Sequence, residues 1–211
     1  MFWDQVAGVY DIFADVVNRR THKKLRTVIA KLLPSGGSAL ECACGTGLLT
    51  GVIAGRCEYV IATDFSAEML KRARKKYALL PNVRFEQADI LHLPYETAQF
   101  DAVVAANVIH LLDAPQLALR ELSRVTKPGG VILLPTYMNR TKTGKTNRVS
   151  GAIGKAGANF KREFTPDTYR QFFEDAGYPG LDITLCEGVI PCAVAVLQKQ
   201  EQENFYAASH T

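Results

Sequence analysis

The sequence predicts an α/β fold: a doubly wound, mostly parallel sheet of seven strands, with helices on both faces and an antiparallel hairpin at its end. Three observations predict it. From Ser38 onward, short apolar runs of strand length alternate with helix-patterned segments, which implies parallel strands joined by crossover helices. The first run leads into Gly45-Thr46-Gly47, a small-residue turn between strand and helix. The last two runs, 181–187 and 190–197, are separated only by a turn around Gly188, short enough for a hairpin.

The elements follow in order. Residues 2–33 read as helical, with Val6, Val9, Tyr10, Phe13, Val16 and Val17 at helical spacing, then Leu25, Val28, Ile29 and Leu32. Pro34-Ser35-Gly36-Gly37 ends them. Between the two apolar sets lies a basic knot of Arg19, Arg20, His22, Lys23, Lys24 and Arg26, readable as a solvated face or as a nucleic-acid contact. Strand 39–44 precedes a helix starting at Gly47, whose first N–H groups would face the turn. Strand 59–63 leads through Asp64 to a helix capped by Ser66, with Met69, Leu70 and Ala73 on its buried face. Strand 83–87 leads to Ala88-Asp89-Ile90, and strand 100–106 to Asn107. A helix over 115–125 follows. Pro128-Gly129-Gly130 reads as a turn into strand 131–134. Thr165 and Pro166 signal the last helix, which stops at Ala176-Gly177.

Residues 139–161 are the least regular stretch. They hold Arg140, Lys142, Lys145, Arg148, Lys155 and Lys161, four glycines and no acid. A lid that attracts an anionic group and a solvated insertion are both open readings.

Composition bounds the rest. With 211 residues, 47% hydrophobic and 22% charged, one domain with a continuous core is expected. No apolar run approaches a membrane span, and the N-terminus shows no signal-peptide pattern, so a cytoplasmic protein is expected. The five cysteines are read as reduced. No His or further Cys pair stands near Cys42 and Cys44 to complete a tetrahedral site, so no metal is expected. A net charge of +4 does not by itself imply nucleic acid, and none is expected as a partner.

Four features of the glycine turn narrow its ligand. No Lys follows the glycines, so it is not a phosphate loop of the nucleotide triphosphatase type. Thr50 stands where a dinucleotide fingerprint needs its third glycine. Glu41 comes just before the turn and would repel a pyrophosphate. Asp64 ends the second strand, where a carboxylate can accept both ribose hydroxyls. The site calls for a ribose-bearing ligand with positive charge and no phosphate, and S-adenosylmethionine has those properties.

At these positions the chain resembles a known family. Glu41-Cys-Ala-Cys-Gly-Thr-Gly47, Asp64, Ala88-Asp89-Ile90, Phe100-Asp101 and Pro128-Gly129-Gly130 are similar to the successive motifs of the class I S-adenosylmethionine-dependent methyltransferases. The subgroup it most resembles is the small-molecule one that includes ubiquinone/menaquinone-biosynthesis methyltransferases. The resemblance implies a Rossmann-like fold and a single domain over 1–211. That domain would comprise a helical cap (1–34), a cofactor-binding core (35–136), a basic lid or insertion (137–164), and a final helix and hairpin (165–199).

It also implies roles. Glu41 would lie near the methionine and ribose end. Ala43, Gly45 and Gly47 would wrap the methionine moiety. Asp64 would hold the ribose hydroxyls, with Phe65 and Met69 on the adenine. Asp89 would accept from the adenine amino group, and the Ile90 N–H would address the ring. Asn107 and His110 would border the sulfonium and the substrate, with His110 the candidate base. Tyr10 resembles a family tyrosine that closes over the cofactor. Two positions depart from the family pattern: Glu41 replaces the commoner Asp, and Ala43 replaces the first glycine.

The implied reaction is methyl transfer to a small-molecule carbon or oxygen nucleophile, with S-adenosylhomocysteine as product. An anionic acceptor would suit the basic segment. No Asn-Pro-Pro-Tyr/Phe sequence follows the fourth strand, where Asn107-Val108-Ile109-His110 stands instead. The alternatives are an RNA methyltransferase, a non-catalytic S-adenosylmethionine-binding protein and, more distantly, a nicotinamide dehydrogenase. A monomer or a homodimer is expected.

Overall fold

A computed structural model describes residues 18–138 and 161–200. The part of the helical stretch expected over residues 2–33 that precedes residue 18, Tyr10 included, most of the basic segment 139–161, and the tail beyond 200 lie outside the described residues.

The elements are α1 (Arg19–Leu32), β1 (Ser38–Cys42), α2 (Thr50–Ala54), β2 (Tyr59–Asp64), α3 (Ala67–Lys76), β3 (Val83–Gln87), β4 (Phe100–Ala105), a 3-10 turn (Ile109–Leu111), α4 (Pro115–Val125), β5 (Thr126–Tyr137), α5 (Pro166–Asp175), β6 (Asp182–Cys186) and β7 (Cys192–Gln198). The strands form one sheet in the order β3-β2-β1-β4-β5-β7-β6. The first five are parallel; β7 runs antiparallel to both β5 and β6. The chain order reverses between β1 and β4, which is where open α/β sheets of this kind bind ligands.

Strand alternation divides the core into two layers. Ala39, Val60, Ala102, Val104 and Leu133 point to one face, against Leu25 and Ile29 of α1 and Ile53 of α2. Leu40, Ile61, Val103, Ile132 and Leu134 point to the other, against Leu119 and Leu122 of α4 and Tyr169 and Phe173 of α5. The caps are as expected. Ser66 accepts from the Met69 N–H at 3.2 Å, and Thr165 and Thr168 form a reciprocal capping box behind Pro166.

Three expectations need correction. Strand 39–44 stops at Cys42, because Ala43 takes a left-handed φ of 52°. The helix expected from Gly47 begins at Thr50 and has five residues, because Gly45 (φ 57°) and Gly47 (φ 88°) are incompatible with a right-handed helix. The turn is therefore not seated on a long helix N-terminus. Finally, Pro128-Gly129-Gly130 lies inside a strand rather than before one. β5 pairs Thr126 with Phe100 and then Val131 with Ala102, so Lys127–Gly130 bulges between two ladder positions. Lys199 holds the bulge by exchanging backbone hydrogen bonds with Gly129 and Gly130, each at 2.9 Å.

The basic knot is mixed. His22 is buried and bonds through Nε2 to the Tyr137 hydroxyl at 2.7 Å. Arg26 donates to the Leu48 carbonyl at 3.2 Å. Arg19, Arg20, Lys23 and Lys24 are exposed.

Candidate functional site

A cleft of about 350 Å³ opens at the carboxyl ends of β1, β2, β3 and β4. Each strand contributes as it ends. After β1 come Ala43, Cys44 and Gly45; at the end of β2, Asp64 and Phe65; after β3, Ala88, Asp89 and Ile90; after β4, Ala106 and Asn107. Nine of the residues singled out in the sequence line it: Glu41, Ala43, Gly45, Asp64, Phe65, Met69, Asp89, Ile90 and Asn107.

Asp64 is the organising carboxylate. Its Oδ2 accepts from the Gly45 N–H and its Oδ1 from the Ser66 N–H, both at 2.8 Å. It thus fixes the start of the glycine turn and the entry to α3. An ionised carboxylate has about four acceptor positions, so Asp64 keeps capacity for ligand hydroxyls.

Glu41 is 2% exposed at the cleft wall. The Thr50 hydroxyl donates to its Oε2 at 2.6 Å. Burial pushes its carboxyl up to about 8, opposed by the Thr50 hydrogen bond and reinforced by the nearby Asp64 charge. Without a ligand Glu41 is therefore largely protonated at neutral pH, which corrects its reading as a standing negative charge.

Asp89 accepts from the Leu91 N–H at 2.9 Å, and its side chain remains 42% exposed. Phe65, half exposed, and the buried Met69 and Ile90 supply apolar wall. Asn107 holds φ 53° and donates its N–H to the Pro135 carbonyl at 2.7 Å, which locks the end of β4 to β5. Its buried Oδ1 has no hydrogen-bond partner among the described residues. Glu41, Asp64 and Asp89 give the wall three acids, and no Lys or Arg is among its described residues.

Gly47 and His110 stand behind this wall. Thr46 and Leu48 line the cleft on either side of Gly47, whose carbonyl accepts from the Tyr77 hydroxyl at 2.7 Å. His110 is 5% exposed on the 3-10 turn, between the lining residues Val108 and Leu111. Burial lowers its imidazole to about 4, so it is neutral at neutral pH. Its carbonyl accepts from the backbone N–H groups of Lys161 and Arg162.

Sequence reasoning missed the apolar end formed by Val108, Leu111 and Leu112, although the pair Leu111-Leu112 directly follows His110. It also read Thr50 only as a missing glycine. Nothing in the sequence pairs Thr50 with Glu41.

The comparisons with known proteins agree with this geometry. The methyltransferase domain family matches residues 40–134, from β1 to β5. The demethylmenaquinone methyltransferase of Staphylococcus saprophyticus is 31% identical over 136 residues, 62% of this chain and 58% of that protein. The chain thus spans about three-fifths of the length of that curated relative. Among solved structures, one from Methanococcus maripaludis, assigned to the S-adenosyl-L-methionine-dependent methyltransferases, has a TM-score of 0.71. It covers 97% of this chain and 96% of its own, at 18% identity. The cyclase SpnF shares the fold with a TM-score of 0.65 at 18% identity, over 84% of this chain and 81% of its own.

Proposed function

We propose, from the premise that residues 40–134 form a class I S-adenosylmethionine-dependent methyltransferase domain, that this chain methylates a small-molecule carbon or oxygen nucleophile and releases S-adenosylhomocysteine. The observation that carries this is the cleft wall, with three acids, no Lys or Arg among its described residues, and an apolar far end. Asp64 and Asp89 disfavour phosphates there. Glu41, protonated without a ligand, gains a charge when a cation comes beside it, which suits a cationic, ribose-bearing ligand.

Bound there, S-adenosylmethionine supplies a methyl carbon activated by its positive sulfur. The residues take the following roles. Asp64 accepts the ribose hydroxyls while keeping the Gly45 and Ser66 N–H groups. Ala43 and Gly45 wrap the methionine moiety, with Gly47 shaping the same turn from behind, and Glu41 faces the ligand's cationic end. Phe65, Met69 and Ile90 flank the adenine, and Asp89 accepts its amino group. Asn107 orients the reacting end. Val108, Leu111 and Leu112 exclude water there, so that little beyond positioning is asked of the protein. For a hydroxyl acceptor, His110 is the candidate base: it is in the neutral form a base requires, and it reaches the acceptor only where the wall at Val108 and Leu111 gives way. The acceptor is chosen through Tyr10 and the segments 1–34 and 137–164, which complete the core 35–136 and the closing elements 165–199.

The acceptor class rests on the quinone-directed name of the relative and on the apolar far end of the cleft. The test begins with calorimetry, comparing S-adenosylmethionine binding by wild type and Asp64→Ala. Labelled methyl transfer to a panel of quinols, phenols and RNA follows. Binding lost in the variant, together with label on a quinol or phenol, supports the proposal. Absence of binding by the folded wild type rejects it. Label on RNA would favour the second reading, which rests on the exposed basic face of α1. Binding without transfer would leave a cofactor-binding protein, as a fold shared with a cyclase allows.

A further inference from the structure

The glycine turn contains three residues at positive φ, Ala43, Gly45 and Gly47. Ala43 bears a Cβ and is held there only where its surroundings over-determine it, while Gly45 and Gly47 leave the rest of the turn free to move unless it is tied down. Its entry is held by Asp64 through the Gly45 N–H. Its exit is held by two side chains from outside the loop. Arg26 of α1 donates to the Leu48 carbonyl, and Tyr77, just past the end of α3, donates to the Gly47 carbonyl at 2.7 Å.

The Tyr77 ring also occupies the space beside two glycines. A Cβ on Gly47 would stand 2.5 Å from the ring Cε2, and one on Gly51 3.0 Å from Cε1. The ring leaves a Cβ no room at Gly47, where a φ of 88° also favours glycine, and crowds one at Gly51. The helix bearing it starts at the other side of the same site, where Ser66 is tied to Asp64 and Met69 lines the cleft. α3 thus touches the site at its start and returns to the turn from its end, roughly 15 Å along its axis.

We infer that Tyr77 is a positioning residue for the cofactor: its hydroxyl and ring set the exit of the turn that wraps the methionine moiety, without touching the ligand. This rests on the function proposed above, and it predicts an effect confined to one part of the ligand. Tyr77→Phe keeps the ring and removes only the donor. Affinity for S-adenosylhomocysteine should fall about fivefold, the effect of one lost hydrogen bond. Affinity for 5′-methylthioadenosine, which lacks the amino-acid arm, should change less than about twofold by the same scale.

The experiment is calorimetry with both ligands on wild type and Tyr77→Phe, with a thermal melt of each without ligand. A merely structural role would lower the melting temperature and weaken both ligands together. Equal weakening, or none, overturns the inference. Where Tyr77→Phe does not fold, Gly51→Ala decides: its Cβ would stand 3.0 Å from the ring and leave the hydroxyl in place, so the ring must shift. A smaller loss confined to S-adenosylhomocysteine is then expected, and equal weakening of both ligands, or none, overturns the inference. Failure of wild type to bind either ligand would instead overturn the proposed function.

Discussion

The Thr50 hydroxyl donates to the Glu41 carboxyl at 2.6 Å, joining the end of β1 to the first residue of α2. It does so where the carboxyl is almost fully removed from water. A proton is thereby stored in the wall of a site that suits a cation.

The stored proton makes stability depend on pH. The Glu41 pKa is about 8 in the folded protein against 4.5 as a free side chain. The native state holds the extra proton between those values. The stabilisation is full below about 4.5 and is lost as pH rises through 8. Glu41→Gln removes this dependence. Melting curves of the ligand-free protein should show wild type losing several degrees relative to Glu41→Gln between pH 5 and pH 8.5, a difference of a few kcal/mol. Parallel curves would show that Glu41 is ionised in the fold.

Cofactor binding should release a proton near neutral pH, because a cation beside Glu41 favours its ionised form. Binding heats measured at pH 7 in buffers of different ionisation enthalpy should differ accordingly in wild type. In Glu41→Gln they should coincide. Buffer-independent heats in wild type would mean that the cationic end of the ligand lies elsewhere.

His110 gives the opposite sign. Burial lowers its pKa from 6.5 to about 4, so the unfolded chain binds the extra proton between those values. Its contribution is present above pH 6.5 and is lost as pH falls through 4. A rate profile should show no inflection from His110 between pH 6 and pH 8. An inflection in that window which disappears in His110→Gln would show that the acceptor opens this histidine to water.

Gly47→Ala should cost both stability and binding. Its φ of 88° is strained for alanine, and the new Cβ would meet the Tyr77 ring. A loss of about 1–3 kcal/mol in denaturant unfolding is expected, with weaker S-adenosylmethionine binding than the stability loss explains. Unchanged stability would place the Tyr77 ring farther from Gly47 than the structure does.

Asp64→Asn keeps the shape and removes the charge. It retains one oxygen for the Gly45 or Ser66 N–H, but its amide nitrogen must face the other. Affinity should fall at least tenfold while the fold melts within about 5 °C of wild type. Affinity within twofold of wild type would remove Asp64 from the ribose site.

The strand–helix alternation, the caps at Ser66 and Thr165, and the final hairpin were legible because each is a local signal: periodicity, an N-cap residue, a short turn. The cleft residues Glu41, Asp64, Asp89 and Asn107 were legible for the same reason, since each ends or follows a strand, and strand ends of a parallel sheet share one edge. Less legible were the short α2 and the bulge at Lys127–Gly130. Positive φ at Ala43 is unusual for a residue with a Cβ, and the bulge depends on Lys199, some seventy positions away.

By itself the sequence determined the layer architecture and the acidic character of the site, because side-chain period and charge are written residue by residue. Only the tertiary structure decided that Glu41 carries a proton, that His110 is neutral and stands behind the cleft wall, and that Tyr77 closes on Gly47. Those properties come from desolvation and from contacts between distant segments, and no single stretch of chain encodes how much water a neighbouring element excludes.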